Sequence, residues 1–387
     1  MKLQDAERCS LGVLRCARLI CENRNAMTAT NDEIPSLFGD DVSIPPSADA
    51  RGAHARTTPP GKVELAAIAT DIVELAARLP ANLYLGTSSW SFPGWKDLVY
   101  SCEASEATLA REGLAAYAQH PLFRSVGVDK TFYRPSPRAE FERMAAQVPA
   151  DFRFLVKMWR GTVEHGVRAP GQVRPASEHD SMHDARAVAA LDAFLDPRVT
   201  EFDCVRPAIE GLGDKAGPLL FQFPPMRFAG GRAQRGFLAQ LAAFLAALPK
   251  GPLYAVELRN RTLLAPDCAP RLAALLADNN AVPCLTVHPS MPTVLAQARA
   301  LLLDQTRPLV MRWMLRGNHA YGEAKNLYEP FDALVEPDDA SRDALAHLAR
   351  AALTAGLGVW IITNNKAEGS SPRSVERLAR RIVESPD

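Results

Sequence analysis

The sequence predicts an α/β protein, a (β/α)8 TIM barrel behind a mobile N-terminal tail. From residue 83 onward, short apolar runs alternate with Ala- and Leu-rich segments of helical spacing, and eight such pairs follow one another. The runs are β-branched and nearly all apolar, as strands are when both faces are buried. Eight strand–helix units suggest a closed barrel. An open doubly wound sheet is the alternative, weakened because no GxGxxG follows the first run.

The units come in this order. LYLGT (83–87) leads to a helix near SEATLAREGLAAYAQ, FRSVGVD (123–129) to PSPRAEFERMAAQ, and FRFLVKM (152–158), after a long insert, to PRVTEFDCVRPAIEGL. PLLFQF (218–223) leads to QRGFLAQLAAFLAAL, LYAVEL (253–258) to CAPRLAALLAD, and AVPCLTV (281–287) to TVLAQARALLL. PLVMRWM (308–314) leads to ASRDALAHLARAALTAG, and GVWIIT (358–363) to PRSVERLARRIVES. Ahead of them, KVELAAIATDIVELAARLP (62–80) has apolar residues at helical spacing. Residues 62–387 are therefore expected to form one barrel domain, and residues 1–61 a flexible extension rich in Gly, Pro, Ser and Asp toward its end. Met27 would serve as a natural start, which would make residues 1–26 an upstream extension. The insert at 161–197 is long for a barrel loop and is expected to act as a lid over the mouth.

Composition narrows the function classes. The chain has 387 residues, 47% of them hydrophobic, with no apolar run long enough to cross a membrane. Its 44 basic and 44 acidic residues cancel, whereas a general nucleic-acid binder carries a basic excess. Seven cysteines without CxxC spacing suit free thiols in a reducing, cytoplasmic setting. His179 and His183, four apart in EHDSMH, fit a polar loop better than a metal pair, and there is no HExxH.

In such barrels chemistry sits at the C-terminal strand ends. The first strand ends Gly86-Thr87-Ser88-Ser89-Trp90, which supplies a close-approach glycine, two hydroxyls and an aromatic wall, with Trp95 read as packing. In VDKTFYRP an extended chain would put Asp129, Thr131 and Tyr133 on one side, where a carboxylate and a phenol could transfer protons. A structural hydrogen-bond network is the competing reading. Lys157 ends the third strand, either in a buried polar site or reaching to water. A Schiff-base role would require a desolvated amine. Gln222, between two phenylalanines, points into the barrel, and the prolines of FQFPP force a rigid turn open to a cis bond. Glu257 and Arg259 share a face, as a general base beside a cation or as a buried pair ordering the mouth. His288 follows strand six. Arg312, Met314 and Arg316 alternate to one side of strand seven, with Tyr321 beyond, and suit a carboxylate or phosphate. Asn364 and Asn365 follow strand eight, where a Gly-Ser-Ser-Pro turn opens the last helix toward an anion.

Several separated blocks, LGTSSWSFPGW, VDKTFYRP, FRFLVKMWRGTVEH, GPLLFQFPP, YAVELRNR and ITNNKAEGSSP, resemble the domain-of-unknown-function 72 family of TIM-barrel proteins over residues 83–385. The family's Gly-Thr-Ser-x-Trp matches Gly86, Thr87, Ser88 and Trp90, and its Thr-Phe-Tyr matches Thr131, Phe132 and Tyr133. Two departures mark a divergent branch. Gly127 and Asp129 stand where Glu-x-Asn is common, and Arg312-Trp313-Met314-Leu315 where Arg-x-His-Gly is common. The resemblance implies a barrel with a pocket and names no substrate.

The expected function is an enzyme (hydrolase, lyase or isomerase) acting on a small polar or anionic molecule, without a cofactor or tightly bound metal. Glu257, Asp129, Tyr133 and Lys157 are the candidate catalytic groups. Thr87, Ser88, Trp90, Gln222, Arg259, Arg312, Tyr321, Asn364 and Asn365 are the candidate substrate contacts. A metal-dependent phosphoesterase or sugar isomerase would need more ligands than Asp129, Glu257 and His288. A metabolite-binding protein without turnover would use the same mouth.

Overall fold

The structure, a computed structural model, describes residues 62–167, 193–303, 306–316 and 319–384. The expected tail at 1–61, the EHDSMH histidines and the centre of the expected lid lie outside the described residues.

Eight parallel strands close into a barrel in chain order: β1 Leu83–Thr87, β2 Ser125–Val128, β3 Arg153–Lys157, β4 Ala216–Gln222, β5 Tyr254–Glu257, β6 Ala281–Val287, β7 Leu309–Trp313 and β8 Val359–Thr363. β8 pairs with β1 from Leu83↔Val359 to Thr87↔Thr363, which completes the ring. The strands read as continuous apolar runs because each has two buried faces. Leu83, Leu85, Phe154, Val156, Phe221, Val256, Leu285, Met311, Trp313 and Ile361 face out against the helices. Leu155, Leu220, Ala255, Val282, Cys284, Val310, Trp360 and Ile362 fill the interior, with Tyr84 stacked on Trp360 at 4.6 Å.

This alternation decides what reaches the mouth. One inward step beyond Leu155, Leu220, Ala255, Cys284, Val310 and Ile362 come Lys157, Gln222, Glu257, Thr286, Arg312 and Asn364. A packed apolar plug thus carries a polar layer at its C-terminal end. Gly86 lets β1 and β2 meet, since a Cβ there would lie 1.9 Å from the Ser125 carbonyl oxygen.

Four local expectations change. The helix expected over 62–80 is formed only at Thr70–Ala77. Residues before it run extended instead, with Leu65 bridged to Tyr100 and Ala66 donating to the Val99 carbonyl at 3.0 Å. The first crossover helix is split into Glu106–Glu112 and Leu114–Tyr117 at Gly113, where an added Cβ would meet the Leu109 carbonyl oxygen at 2.7 Å. The prolines after β4 are trans, and the one cis peptide among the described residues is Glu329–Pro330. A helix at Tyr321–Tyr328, not foreseen, precedes the expected one, found at Asp339–Thr354.

The close approach at Gly86 predicts that Gly86→Ala lowers unfolding free energy in urea by about 1–3 kcal/mol. Gly322→Ala, where a Cβ would meet nothing within 4 Å, serves as the control and is expected to be neutral or stabilising.

Candidate functional site

The polar layer is organised around Glu257, which is wholly buried at the end of β5. Its Oε1 accepts from Nε and Nη2 of Arg259, each at 2.5 Å. Its Oε2 accepts from Nη1 of Arg312 at 2.8 Å and lies 3.9 Å from the Cys284 thiol. Burial alone would raise the Glu257 carboxyl, but Arg259 and Arg312 reverse this and hold it at about 2. Burial and the neighbouring carboxylate keep the Cys284 thiol protonated, so it donates. With its lone pairs taken and its proton affinity this low, Glu257 is unsuited to the general-base role expected of it. Its contacts are those of the buried Glu–Arg pair, the other reading of these residues.

Arg312, on β7, spans the interior. Its Nη1 also donates to Gln222 Oε1 at 2.7 Å, and its Nη2 is 3.5 Å from Asp129 Oδ1. The pairing with Glu257 and Asp129 outweighs burial and pushes its pKa up. The Arg312 Nε and the Asp129 Oδ1 are buried yet have no hydrogen-bond partner among the described residues.

Lys157 ends β3 and is 7% exposed. Its Nζ lies 3.6 Å from the centre of the Phe132 ring. Desolvation brings its pKa down to about 8, against the attraction of Asp129 and with the repulsion of Arg312. His288 is brought beside the same charges; burial and Arg259 lower it to about 3, so it is neutral, with Nδ1 2.8 Å from the Ser290 hydroxyl. Thr286, missed in the sequence, belongs to this layer: it is fully buried, registers with Arg312, and its Oγ1 has no hydrogen-bond partner among the described residues. Inward parity with Cys284 was the available signal.

Other expected residues go elsewhere. Asp129, Thr131 and Tyr133 do not share a face, because β2 ends at Val128 and Lys130–Phe132 is a 3-10 turn. Thr131 Oγ1 turns back to the carbonyls of Val128 and Lys157, at 2.7 and 2.6 Å, and Tyr133 is 46% exposed. Thr87 has the outward parity of Leu83 and Leu85, and its Oγ1 sits 2.8 Å from the Tyr117 hydroxyl. Trp90 is buried in the outer core, donating to the Leu109 carbonyl at 3.1 Å. Ser88 does reach the mouth and accepts from Asn364 Nδ2 at 2.8 Å. Asn365 is buried, and its Oδ1 accepts from the backbone N–H and hydroxyl of Ser371, both at 2.8 Å. That first-turn N–H is therefore capped by the protein, and the wholly buried Glu368, paired to Arg342, lies in the same loop. In the loop after strand eight, where an anion site was expected, Asn365 thus takes up one of the first-turn N–H groups. Arg316 turns away to the carbonyls of Glu336 and Pro337. Tyr321 begins a helix, and its side chain lies outside the described residues.

Among the described residues no three His, Cys, Asp or Glu side chains gather closely enough to hold a metal ion. The best-formed apolar groove, about 660 Å³, is far from this chemistry, at the strand-start end between outer helices and lined by residues such as Leu276, Leu301 and Leu348.

Fold and site together define an α/β barrel with a cation-rich polar layer at its C-terminal mouth. The chain belongs to the DUF72 family: the model of "Protein of unknown function DUF72" matches residues 84–386. It is similar to the "UPF0759 protein YunF" of Bacillus subtilis (strain 168), with 25% identity over 218 residues, 55% of this chain and 65% of that relative, a little under two thirds of its length. Solved DUF72 structures from Enterococcus faecalis V583 (20% identity, 79% of this chain and 97% of that one, TM-score 0.48) and Thermotoga maritima MSB8 (19%, 78% and 99%, TM-score 0.48) are also similar. The barrel itself rests on the strand pairing. No helix among the described residues is long and apolar enough to cross a membrane.

Two outcomes follow from the electrostatics. Glu257→Ala leaves two buried guanidinium groups facing each other and is expected to cost about 3–5 kcal/mol in chemical denaturation. Lys157 binds its proton less well folded, at about 8, than unfolded, at 10.5. The charged amine therefore opposes folding fully below about pH 8, and this penalty fades as pH rises toward 10.5. Lys157→Met is expected to raise the melting temperature at neutral pH, through up to about 3 kcal/mol, with the gain shrinking over that window. A gain independent of pH would show that the ammonium is not penalised.

Proposed function

We propose that this DUF72 protein is an enzyme that binds a small anionic molecule at the C-terminal mouth of its barrel and uses Lys157 as its proton-transferring group. The observation that carries this reading is the charge balance of the polar layer. Three cations, Lys157, Arg259 and Arg312, face two carboxylates, Asp129 and Glu257, which leaves one positive charge in a desolvated site. Such a charge attracts an anion strongly because little water screens it. Arg312 is already held in place by Gln222 and Glu257, so orienting it for a ligand costs little entropy.

Lys157 is the better acid–base group because its pKa of about 8 lies near neutrality, whereas Glu257 at about 2 stays ionised. Asp129, 31% exposed and acting on the amine through its charge, is the group we assign to exchange protons with solvent. Arg259, its Nε and Nη2 both spent on Glu257, acts through charge and position. Cys102, Cys204, Cys268 and Cys284 are free thiols, which suits a cytoplasmic protein.

The test is thermal unfolding of the full chain with small carboxylates and phosphates, each against its uncharged analogue. An anion at a hundred times its dissociation constant contributes about 2.7 kcal/mol, a rise of several degrees. The rise is expected to disappear in Lys157→Met at neutral pH, and turnover of any compound so found is expected to increase with pH through about 8. Stabilisation by uncharged analogues equal to that by the anions would overturn the reading. Anion binding with no turnover of any bound compound would make the protein a metabolite binder.

A further inference from the structure

We propose that Lys157 is a covalent amine, forming a Schiff base with a small carbonyl compound that also carries a carboxylate or phosphate. The proposal rests on the anion-binding mouth described above and specifies its substrate class. The polar layer holds five charged groups, and four of them are engaged with one another: Arg259 with Glu257, Glu257 with Arg312, and Arg312 with Asp129. The Lys157 amine has no hydrogen bond and no ion pair within 4.0 Å among the described residues. What sits against its Nζ is the face of Phe132. An ammonium kept for charge alone would be paired with a carboxylate. The aromatic face attracts the ammonium but offers its nitrogen no acceptor, and desolvation works against that attraction toward the neutral, nucleophilic form.

The neighbours supply what imine chemistry needs. The charged groups acting on the amine are Asp129, on the turn after β2, Glu257 and Arg259 at the end of β5, and Arg312 on β7. The Nζ lone pair adds to the carbonyl carbon and a C–N bond forms. The carbonyl π pair moves to oxygen, and the proton that the nitrogen gives up passes by way of Asp129 to that oxygen, which yields the neutral carbinolamine. Its hydroxyl then leaves as water with a proton drawn from solvent through Asp129, the nitrogen lone pair closes the C=N bond, and the iminium nitrogen returns that proton to solvent. Amine and carbonyl give imine and water, with no change in oxidation state. Arg312, whose Nε has no hydrogen-bond partner among the described residues, would hold the anionic group of the same molecule.

The test traps the imine. The full-length protein is incubated with pyruvate or with dihydroxyacetone phosphate, sodium cyanoborohydride is added, and lysine-containing peptides are mapped by mass spectrometry. The expected result is a reduced adduct on Lys157 at least about tenfold above that on Lys62 and Lys130, whose side chains are exposed and ion-paired. Labelling of Lys157 should increase with pH through about 8. Lys157→Arg keeps the charge but cannot form the imine. With its folding verified by melting temperature, it should lose the adduct, while lactate, which has the carboxylate without the carbonyl, should stabilise the unsubstituted protein and leave Lys157 unlabelled. If pyruvate and lactate both stabilise the protein and Lys157 remains unlabelled, the covalent proposal is overturned while the anion-binding mouth stands. If no anion stabilises the protein and no adduct forms, both fall.

Discussion

Glu257 joins two guanidinium groups that would repel each other inside the barrel, and the rest of the mouth is arranged by that contact. Arg259 occupies one carboxylate oxygen, and Arg312 and Cys284 approach the other. Because Arg312 is held at β5, it can cross the interior to Gln222 on β4 and Asp129 beyond β2. One buried anion thereby links five of the eight barrel sectors, those of β2, β4, β5, β6 and β7. Its two partners exceed its own charge by one, Asp129 cancels that excess, and Lys157 leaves the layer cationic.

A buried pair of this kind is weak evidence for stability, since the desolvation of each ion offsets much of the attraction. Its evident consequence is position. Arg312 is 1% exposed and fixed by three neighbours, an arrangement that suits a group meant to present one donor edge to a ligand. Lys157 contrasts with it. It is as deeply placed, but rests on an aromatic ring, and burial makes its proton easy to remove. A rigid cation beside a labile amine is a division of labour that an anionic substrate can use: one group holds, the other reacts.

In the loop after β8, where an open anion site was expected, side chains of the protein bond to one another. Asn365 caps the last helix and Glu368 lies buried with Arg342 in the same loop. The cationic centre is therefore displaced from the loops after β7 and β8 toward β3, β5 and β7. This also explains why Trp90 and Thr87, though next to the mouth in sequence, serve packing: both are committed to the helices outside β1.

The barrel was legible in the sequence because parallel strands buried on both faces must be apolar over their whole length, and eight such runs leave few arrangements. All eight fell within two residues of their expected bounds. Period-two parity likewise placed Gln222 inward and put Glu257 on one face with Arg259, since a strand admits only two faces. The same rule failed for Asp129, Thr131 and Tyr133, where β2 gives way to a 3-10 turn after Val128 and parity no longer applies. It was also not carried far enough to find Thr286 or to turn Thr87 outward. The sequence by itself determined the strands, their order and most of the residues that meet at the mouth. Only the tertiary structure decided that Glu257 is a bound counter-ion and Lys157 a desolvated amine, because a group's proton affinity depends on neighbours brought together from distant strands and on the water they exclude.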